Sequence, residues 1–264
     1  MTAVSCSAWC RRQSAVTPEG AAPTQGEPVL AGRVIVVNGA HGGLGEAAAR
    51  ACAAAGATVV LLGRRVPKLN RVYDALAAIG PLPAIFPIDM EGAGPADYAD
   101  MVQRLREEFG RLDGVVHCSA EFRGLSPLEL TDPVDFARTL HVNLTAPWLL
   151  SQACLPLLRE ADDAALVFVL DDPAQVARAY WGAYGVAEHG LAGLVSILSD
   201  ELENSVVRVS ALQPGPMRTA LRARAHFGVD PAQWPEPAVY APALVHLLSA
   251  AGVDRRGQIW SPNR

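Results

Sequence analysis

Residues 34–45 read Val-Ile-Val-Val-Asn-Gly-Ala-His-Gly-Gly-Leu-Gly, a β-branched run that leads into a glycine-rich turn. Short β-branched runs beside glycine are typical of buried strands in parallel sheets. The alanine-rich segment 43–55 that follows predicts a helix. A glycine turn between a strand and a helix lets backbone N–H groups approach a pyrophosphate. We therefore expect a bound dinucleotide, with a purely structural turn as the alternative. The predicted contacts are Gly39, His41, Gly43, Leu44 and Gly45.

Strand and helix patterns alternate along the rest of the chain. Short apolar, mostly β-branched runs predict strands at 34–37, 58–62, 84–88, 114–116, 165–170, 206–212 and 257–260. Helical spacing predicts helices at 43–55, 67–79, 96–109, 133–159, 181–203 and 240–251. Such alternation requires a parallel sheet with helices on both faces. The predicted fold is α/β, a Rossmann-type doubly wound parallel sheet in three layers that forms a single domain over residues 33–264.

The first 32 residues differ from the rest of the chain. They show no strand or helix periodicity and are rich in proline and glycine, so we expect a flexible N-terminal tail. A transit peptide is the alternative, because Arg11 and Arg12 occur with few acids. Cys6 and Cys10 are separated by three residues, but no second ligand pair follows, so we expect no metal site.

Composition limits the classes of function. Half of the 264 residues are hydrophobic and the net charge is −5, which excludes a disordered chain and disfavours nucleic-acid or membrane partners. Five cysteines spread over a long chain do not form a disulfide framework, so we expect a reducing, cytoplasmic location. Lys68 is the only lysine, so chemistry that needs a lysine must use this residue.

The end of the second predicted strand bears on the choice of cofactor. An acidic residue there would bind the ribose 2′-hydroxyl of NAD, whereas an arginine accommodates the 2′-phosphate of NADP. Arg64 occupies this place, so we expect NADP(H) in preference to NAD(H); a solvated arginine is the alternative. Asp89 and Met90 end the third strand and are expected beside the adenine, although Asp89 could equally cap a helix.

Several spaced features together resemble the short-chain dehydrogenase/reductase family over residues 33–262. The glycine turn matches, and residues 117–120 stand where the family has Asn-Asn-Ala-Gly, which places Ser119 at the cofactor. The resemblance implies that Asn143 and Tyr184 are catalytic residues. It also implies that the segment 214–219 contacts the nicotinamide carboxamide. The cofactor contacts carried over from this segment are Pro214, Gly215 and Thr219.

Two family residues are absent from the places that the resemblance assigns them. The lysine four positions after the tyrosine is Glu188, and the serine thirteen positions before it is Asp171. An ionised Asp171 cannot donate a hydrogen bond to a carbonyl oxygen. Glu188 lies one helical turn from Tyr184, and its charge is expected to raise the pKa of that tyrosine. A proton shared between the two carboxylates would let Asp171 donate instead.

Three hypotheses about function follow from this arrangement. The first is an oxidoreductase-type protein that binds NADP(H) but is catalytically impaired. The second is an active NADP(H)-dependent carbonyl reductase or alcohol dehydrogenase that uses Tyr184 and Asn143. The third is non-redox acid–base chemistry by Asp171 and Glu188. The substrate class implied by the resemblance is a small carbonyl or alcohol compound.

Two further expectations concern surfaces. The resemblance implies a homodimer or homotetramer that pairs through helices 133–159 and 181–203, and apolar residues on them would supply the contact. These residues are Ala153, Leu157, Leu191 and Leu198. Three arginines lie where the family has a mobile substrate lid; we expect a solvated basic face, with a clamp for an acidic ligand as the alternative. They are Arg218, Arg222 and Arg224.

Overall fold

The structure is a computed structural model that describes residues 28–262. Seven parallel strands form one sheet in the order β3-β2-β1-β4-β5-β6-β7. The strands are β1 (Val34–Asn38), β2 (Thr58–Gly63), β3 (Ala84–Pro87), β4 (Gly114–His117), β5 (Ala164–Val169), β6 (Val207–Leu212) and β7 (Ile259–Trp260). The predicted α/β doubly wound sheet is confirmed.

Helices cover both faces of this sheet. They are α1 (Gly43–Ala54), α2 (Val66–Ala77), α3 (Pro95–Phe109), α4 (Pro133–Leu140), α5 (Ala146–Leu158), α6 (Pro173–Val176), α7 (Gly182–Glu201), α8 (Ala220–Ala225) and α9 (Ala241–Leu248). Successive residues of β1 alternate between two hydrophobic cores. Val34 and Val36 pack with α3, α5 and α7, whereas Ile35 and Val37 pack with α1, α2 and α9. This alternation produces the three predicted layers.

The sheet reverses its order of strands beside β1. The chain passes from β1 outward to β2 and β3, then returns to place β4 on the other side of β1. Ligands of open α/β sheets bind at the carboxyl ends of the strands where the order reverses. The glycine turn after β1 lies at this point, as its sequence predicts.

The predicted helix over 133–159 is not continuous. The segment His141–Thr145 forms a wider π-type turn between α4 and α5. Asn143 lies in this turn, and its Nδ2 donates to the Thr139 carbonyl at 3.0 Å. A side chain that takes a carbonyl four residues earlier competes with the helical amide for it, which favours local widening of the helix.

Smaller differences occur at the two ends of the domain. Leu30 is fully buried, and its N–H donates to the Ala55 carbonyl at 2.9 Å, so this residue of the predicted tail packs onto the domain. The remainder of the predicted tail, including Cys6 and Cys10, lies outside the described residues. The predicted helix over 240–251 is replaced by α9 between two 3₁₀ segments, Pro237–Tyr240 and Ala250–Arg255.

No helix among residues 28–262 combines the length and apolar character needed to cross a membrane.

Candidate active site

A cleft of about 340 Å³, called the main cleft below, opens at the carboxyl ends of the strands. It brings together nearly all of the predicted site residues, although they come from distant parts of the chain. The predicted residues that line it are Gly39, His41, Gly43, Leu44, Arg64, Asp89, Met90, Ser119, Asn143, Asp171, Tyr184, Glu188, Pro214, Gly215 and Thr219. Gly45 is not among its lining residues, and its cofactor contact stays a prediction.

The glycines of the turn after β1 lie where a side chain would clash with neighbouring atoms. Gly39 has φ +77°, and a Cβ there would lie 2.7 Å from the Ser119 nitrogen. A Cβ on Gly43 would lie 2.9 Å from Thr219 Cγ2. A Cβ on Gly45 would lie 2.2 Å from the Gly39 carbonyl oxygen, so this glycine allows α1 to pack against the turn. Gly45 therefore supports the glycine turn from beneath.

Basic side chains gather at one end of the main cleft, called the adenosine end below. The pKa of His41 is lowered first by burial and then by the charges of Lys68, Arg65 and Arg64. His41 Nδ1 is buried without a hydrogen-bond partner. A cluster of this kind would bind an anionic group such as a phosphate, which supplies the missing partner.

Acidic side chains lie beside this basic cluster. Arg64 Nη1 lies 3.9 Å from an Asp89 oxygen and 3.8 Å from a Glu91 oxygen. Asp89 Oδ1 accepts the Glu91 N–H at 3.2 Å, which stabilises the turn after β3. The first turn of α3 is instead closed by Asp97, whose Oδ2 accepts the Gly94 N–H at 2.8 Å. Asp89 thus lines the main cleft and does not cap the helix.

The opposite end of the main cleft, called the tyrosine end below, holds two carboxylates beside a tyrosine. Asp171 follows β5, while Tyr184 and Glu188 lie one turn apart on α7. Tyr184 Oη donates to Asp171 Oδ2 at 3.4 Å. Glu188 Oε2 accepts the Asp171 backbone N–H at 2.8 Å. The predicted juxtaposition of these three residues is therefore observed.

Aromatic packing buries the tyrosine ring. The Phe122 ring meets the Tyr184 ring edge-on, with centroids 5.2 Å apart, and the Trp181 ring lies 5.8 Å away. Only 5% of Tyr184 is exposed. Such contacts fix the direction of the hydroxyl and exclude water from the ring.

The environment raises the pKa of two groups at the tyrosine end. The pKa of Tyr184 lies well above its usual value, first because of burial and then because of the charges of Glu188 and Asp171. Burial is also the first cause that raises the pKa of Glu188, to about 8. The hypothesis of a proton shared between Asp171 and Glu188 stays a prediction. As predicted, the charge of Glu188 raises the pKa of Tyr184.

Comparison with known proteins assigns the family. The short chain dehydrogenase family model matches residues 33–227. The chain belongs to the short-chain dehydrogenase family. It is 34% identical over 223 residues to the uncharacterized oxidoreductase YciK of Escherichia coli K12, which covers 84% of this chain and 88% of that protein.

Solved structures of short-chain dehydrogenases superpose on the whole described domain. One from Shigella flexneri 2a, complexed with NADP, has 32% identity and a TM-score of 0.86, and the match covers 90% of this chain and 100% of the other. One from Escherichia coli CFT073, complexed with NADPH, has 34% identity and a TM-score of 0.85 over 90% and 99% of the two chains. The oxidoreductase family and the fold are thus established together.

Asn143 of this short-chain dehydrogenase is occupied by backbone contacts. Its Oδ1 accepts the Glu121 N–H at 2.7 Å, and its Nδ2 donates to the Glu121 carbonyl at 2.8 Å. Only 2% of the residue is exposed. In this structure Asn143 positions the loop after β4.

Arg222 is a site residue that the sequence alone does not single out. The expected solvated face is wrong for this arginine, whose side chain is only 14% exposed and lies 3.6 Å from Asp171 Oδ1. Its position depends on α8, which begins where Thr219 Oγ1 accepts the Arg222 N–H at 3.2 Å. Arg222 Nη1 also lies 3.0 Å from the ring nitrogen Nε2 of His226. A helical capping signal at Thr219 precedes it, but only the folded loop shows which arginine turns inward.

The other two lid arginines face elsewhere. Arg224 donates to the Phe122 carbonyl at 2.9 Å, and Arg218 pairs with Glu236 near the surface.

Within residues 28–262, no group of three or more His, Cys, Asp or Glu side chains is placed to hold a metal ion.

Proposed function

We propose that this short-chain dehydrogenase binds NADP(H) and acts on a small carbonyl or alcohol compound, with carbonyl reduction that is slow at neutral pH. The observation that carries the proposal is the arrangement of Tyr184 between Asp171 and Glu188. In this family the cofactor supplies or accepts a hydride when it is bound. The protein's own part is to bind the cofactor and to move the accompanying proton.

The residues present fit an NADP-type cofactor. The glycine turn leaves backbone space that a Cβ on Gly39 or Gly43 would fill. His41 and Arg64 contribute to a basic cluster suited to a 2′-phosphate, as the sequence predicts for NADP(H). The structural relatives complexed with NADP and NADPH support the same choice. Ser119, Pro214 and the other lining residues would hold the remainder of the dinucleotide.

Proton transfer is the weak step in this proposal. A general acid works best when its pKa lies near the working pH, and burial together with two carboxylates moves the pKa of Tyr184 away from it. Loss of proton-transfer help lowers a rate by roughly 10²–10⁴. An anionic Asp171 also donates nothing to a developing oxyanion, and loss of such a donor costs roughly 10²–10³. These factors need not multiply, because catalytic groups act together.

A second candidate is a working reductase or alcohol dehydrogenase. It is favoured by Arg222, whose charge lowers the pKa of Tyr184 and offsets Asp171. A protonated Glu188, with a pKa of about 8, also removes one negative charge at neutral pH. In this case Tyr184 would transfer the proton and Asn143 would hold the loop beside it.

Turnover measurements distinguish these candidates. NADPH binding is measured by calorimetry, and NADPH oxidation is followed with a broad panel of aldehydes and ketones. Binding with little oxidation supports the proposal. A turnover number ordinary for dehydrogenases, abolished by Tyr184→Phe, overturns it in favour of the second candidate. Product formation without net change in the cofactor would indicate acid–base chemistry by Asp171 and Glu188.

We also propose a homodimer or homotetramer in the cytoplasm. Leu157, Leu191 and Leu198 are buried within their own chain, so the proposed contact needs other apolar residues. Exposed apolar residues on α5 and α7 are Trp148, Val186 and Ile197. Light scattering at micromolar concentration tests the assembly, and a monomeric mass would refute it.

Free Cys52, Cys118 and Cys154 support a reducing location.

A further inference from the structure

We propose that Glu188 makes the tyrosine end of the main cleft select the oxidised cofactor NADP+ over NADPH, an inference that rests on the proposed NADP(H) binding. The nicotinamide ring carries a positive charge in NADP+ and none in NADPH, while the rest of the two molecules is the same. A protein charge near the ring therefore changes the affinity for one form and not for the other. The ratio of the two dissociation constants isolates this effect.

The charges of the described residues favour the cationic ring. Asp171 and Glu188 both line the tyrosine end. Of the described arginines and lysines, Arg64 and Arg222 line the main cleft, and Arg64 lies at the adenosine end. Arg222 faces Asp171 at 3.6 Å, so its charge is offset by that carboxylate. Of these two carboxylates, Glu188 is the one with no positively charged group in direct contact.

The contacts of Glu188 are with neutral groups. Its Oε2 accepts the Asp171 backbone N–H at 2.8 Å, and Tyr184 on the same helix is a neutral phenol. The glutamate is only 7% exposed. A buried carboxylate whose direct contacts include no cation is stabilised by a positive charge that arrives in its cleft.

The other groups described around the tyrosine end do not supply a positive charge that would balance Glu188. His117 on β4 is buried, which lowers its pKa to about 3, so it stays neutral. The pKa of His226 beside α8 is lowered first by burial and then by Arg222. Glu121, from the loop after β4, adds a further acid, although Arg123 and Arg138 lie 3.6 and 4.0 Å from it. Asn143 is neutral.

The expected size of the effect follows from Coulomb's law. At an effective dielectric constant of about 20, two unit charges about 12 Å apart change an equilibrium constant by roughly tenfold. Ionised Glu188 is therefore expected to raise the ratio Kd(NADPH)/Kd(NADP+) by roughly tenfold or more. The ratio should rise between pH 6 and pH 9, because the pKa of Glu188 is about 8 and the carboxyl loses its proton over this range.

The experiment measures both dissociation constants by calorimetry, with no substrate present. Wild type, Glu188→Gln and Arg64→Ala are compared at pH 6 and pH 9. Glutamine keeps an oxygen for the Asp171 N–H, so the fold should survive. Arg64→Ala is the matched control, because the adenosine end is the same in both cofactors and their affinities should fall by one common factor. The wild-type pH series needs no variant and stands by itself.

The expected result is a ratio that rises roughly tenfold with pH in the wild type and Arg64→Ala but stays constant in Glu188→Gln. A constant wild-type ratio overturns the inference. So does a rise that is equal in wild type and Glu188→Gln, because another group would then be responsible. Failure of both cofactors to bind overturns the proposed function as well. Rapid carbonyl reduction would overturn only the proposed slow chemistry and leave this selectivity standing.

Discussion

Glu188 should make the stability of this protein fall as the pH rises. Its pKa is raised from 4.5 to about 8 by burial, so the folded state binds a proton that the unfolded state releases. The full stability is present below pH 4.5 and is lost progressively as the pH rises through about 8. At 1.36 kcal/mol per unit, this shift corresponds to at most about 5 kcal/mol. Water that enters around a buried ion lowers such penalties, so we expect a loss of about 2–5 kcal/mol.

The variant Glu188→Gln removes this titration while it keeps the size of the side chain. At pH 5 the two proteins should have similar free energies of unfolding, and at pH 9 the variant should be more stable by about 2–5 kcal/mol. Urea unfolding followed by tryptophan fluorescence, at one fixed protein concentration, measures the difference. Glu203→Gln is the control, because Glu203 is exposed just after α7, and its pH profile should run parallel to that of the wild type.

Parallel profiles for the wild type and Glu188→Gln between pH 5 and pH 9 would refute this reasoning. The result would mean that Glu188 keeps an ordinary pKa despite its burial, and the expected rise of the cofactor ratio between pH 6 and pH 9 would lose its basis.

Three other predictions follow from the site and the turn. The double change Asp171→Ser with Glu188→Lys should raise carbonyl reduction by at least roughly tenfold, measured as NADPH oxidation, because it introduces a hydroxyl donor and a cation; an unchanged rate would count against the proposed cause. Arg64→Ala should weaken NADPH binding and leave NADH binding nearly unchanged in calorimetry; tighter NADH binding by the wild type would contradict the cofactor choice. Gly45→Ala should lower the unfolding free energy by about 1–3 kcal/mol, since its Cβ meets backbone at 2.2 Å, whereas Gly193→Ala, with open space around it, should be neutral or stabilising by up to about 1 kcal/mol in the same urea assay.

Local patterns in the sequence predicted most of the fold. The β-branched runs and the glycine turn depend on neighbours within a few residues, and the sheet follows from their alternation. The sequence does not indicate the π-type turn at Asn143, because the partners of this residue include Glu121, which lies 22 residues away. The apolar stripe with Leu157, Leu191 and Leu198 was assigned to a subunit contact, but helical periodicity cannot distinguish a face that packs on its own sheet from one that packs on a partner.

The candidate site also contains residues that the sequence predicts and residues that only the folded structure reveals. Tyr184 and Glu188 are four residues apart on one helix, so their proximity follows from sequence alone. Asp171 was placed beside them by the family resemblance. The inward turn of Arg222 required the folded lid, because three similar arginines lie within seven residues and only tertiary contacts distinguish them.

Lys68 stands exposed near the start of α2, beside the His41 and Arg64 cluster, and it is the single lysine of the chain. A reagent that acylates amines therefore meets one side-chain target in this protein, in addition to the α-amino group. Modification by such a reagent therefore reports on one part of the protein, the end of the cleft that would hold a nucleotide phosphate. The added mass on the peptide that contains Lys68 reports directly whether that place is open or covered.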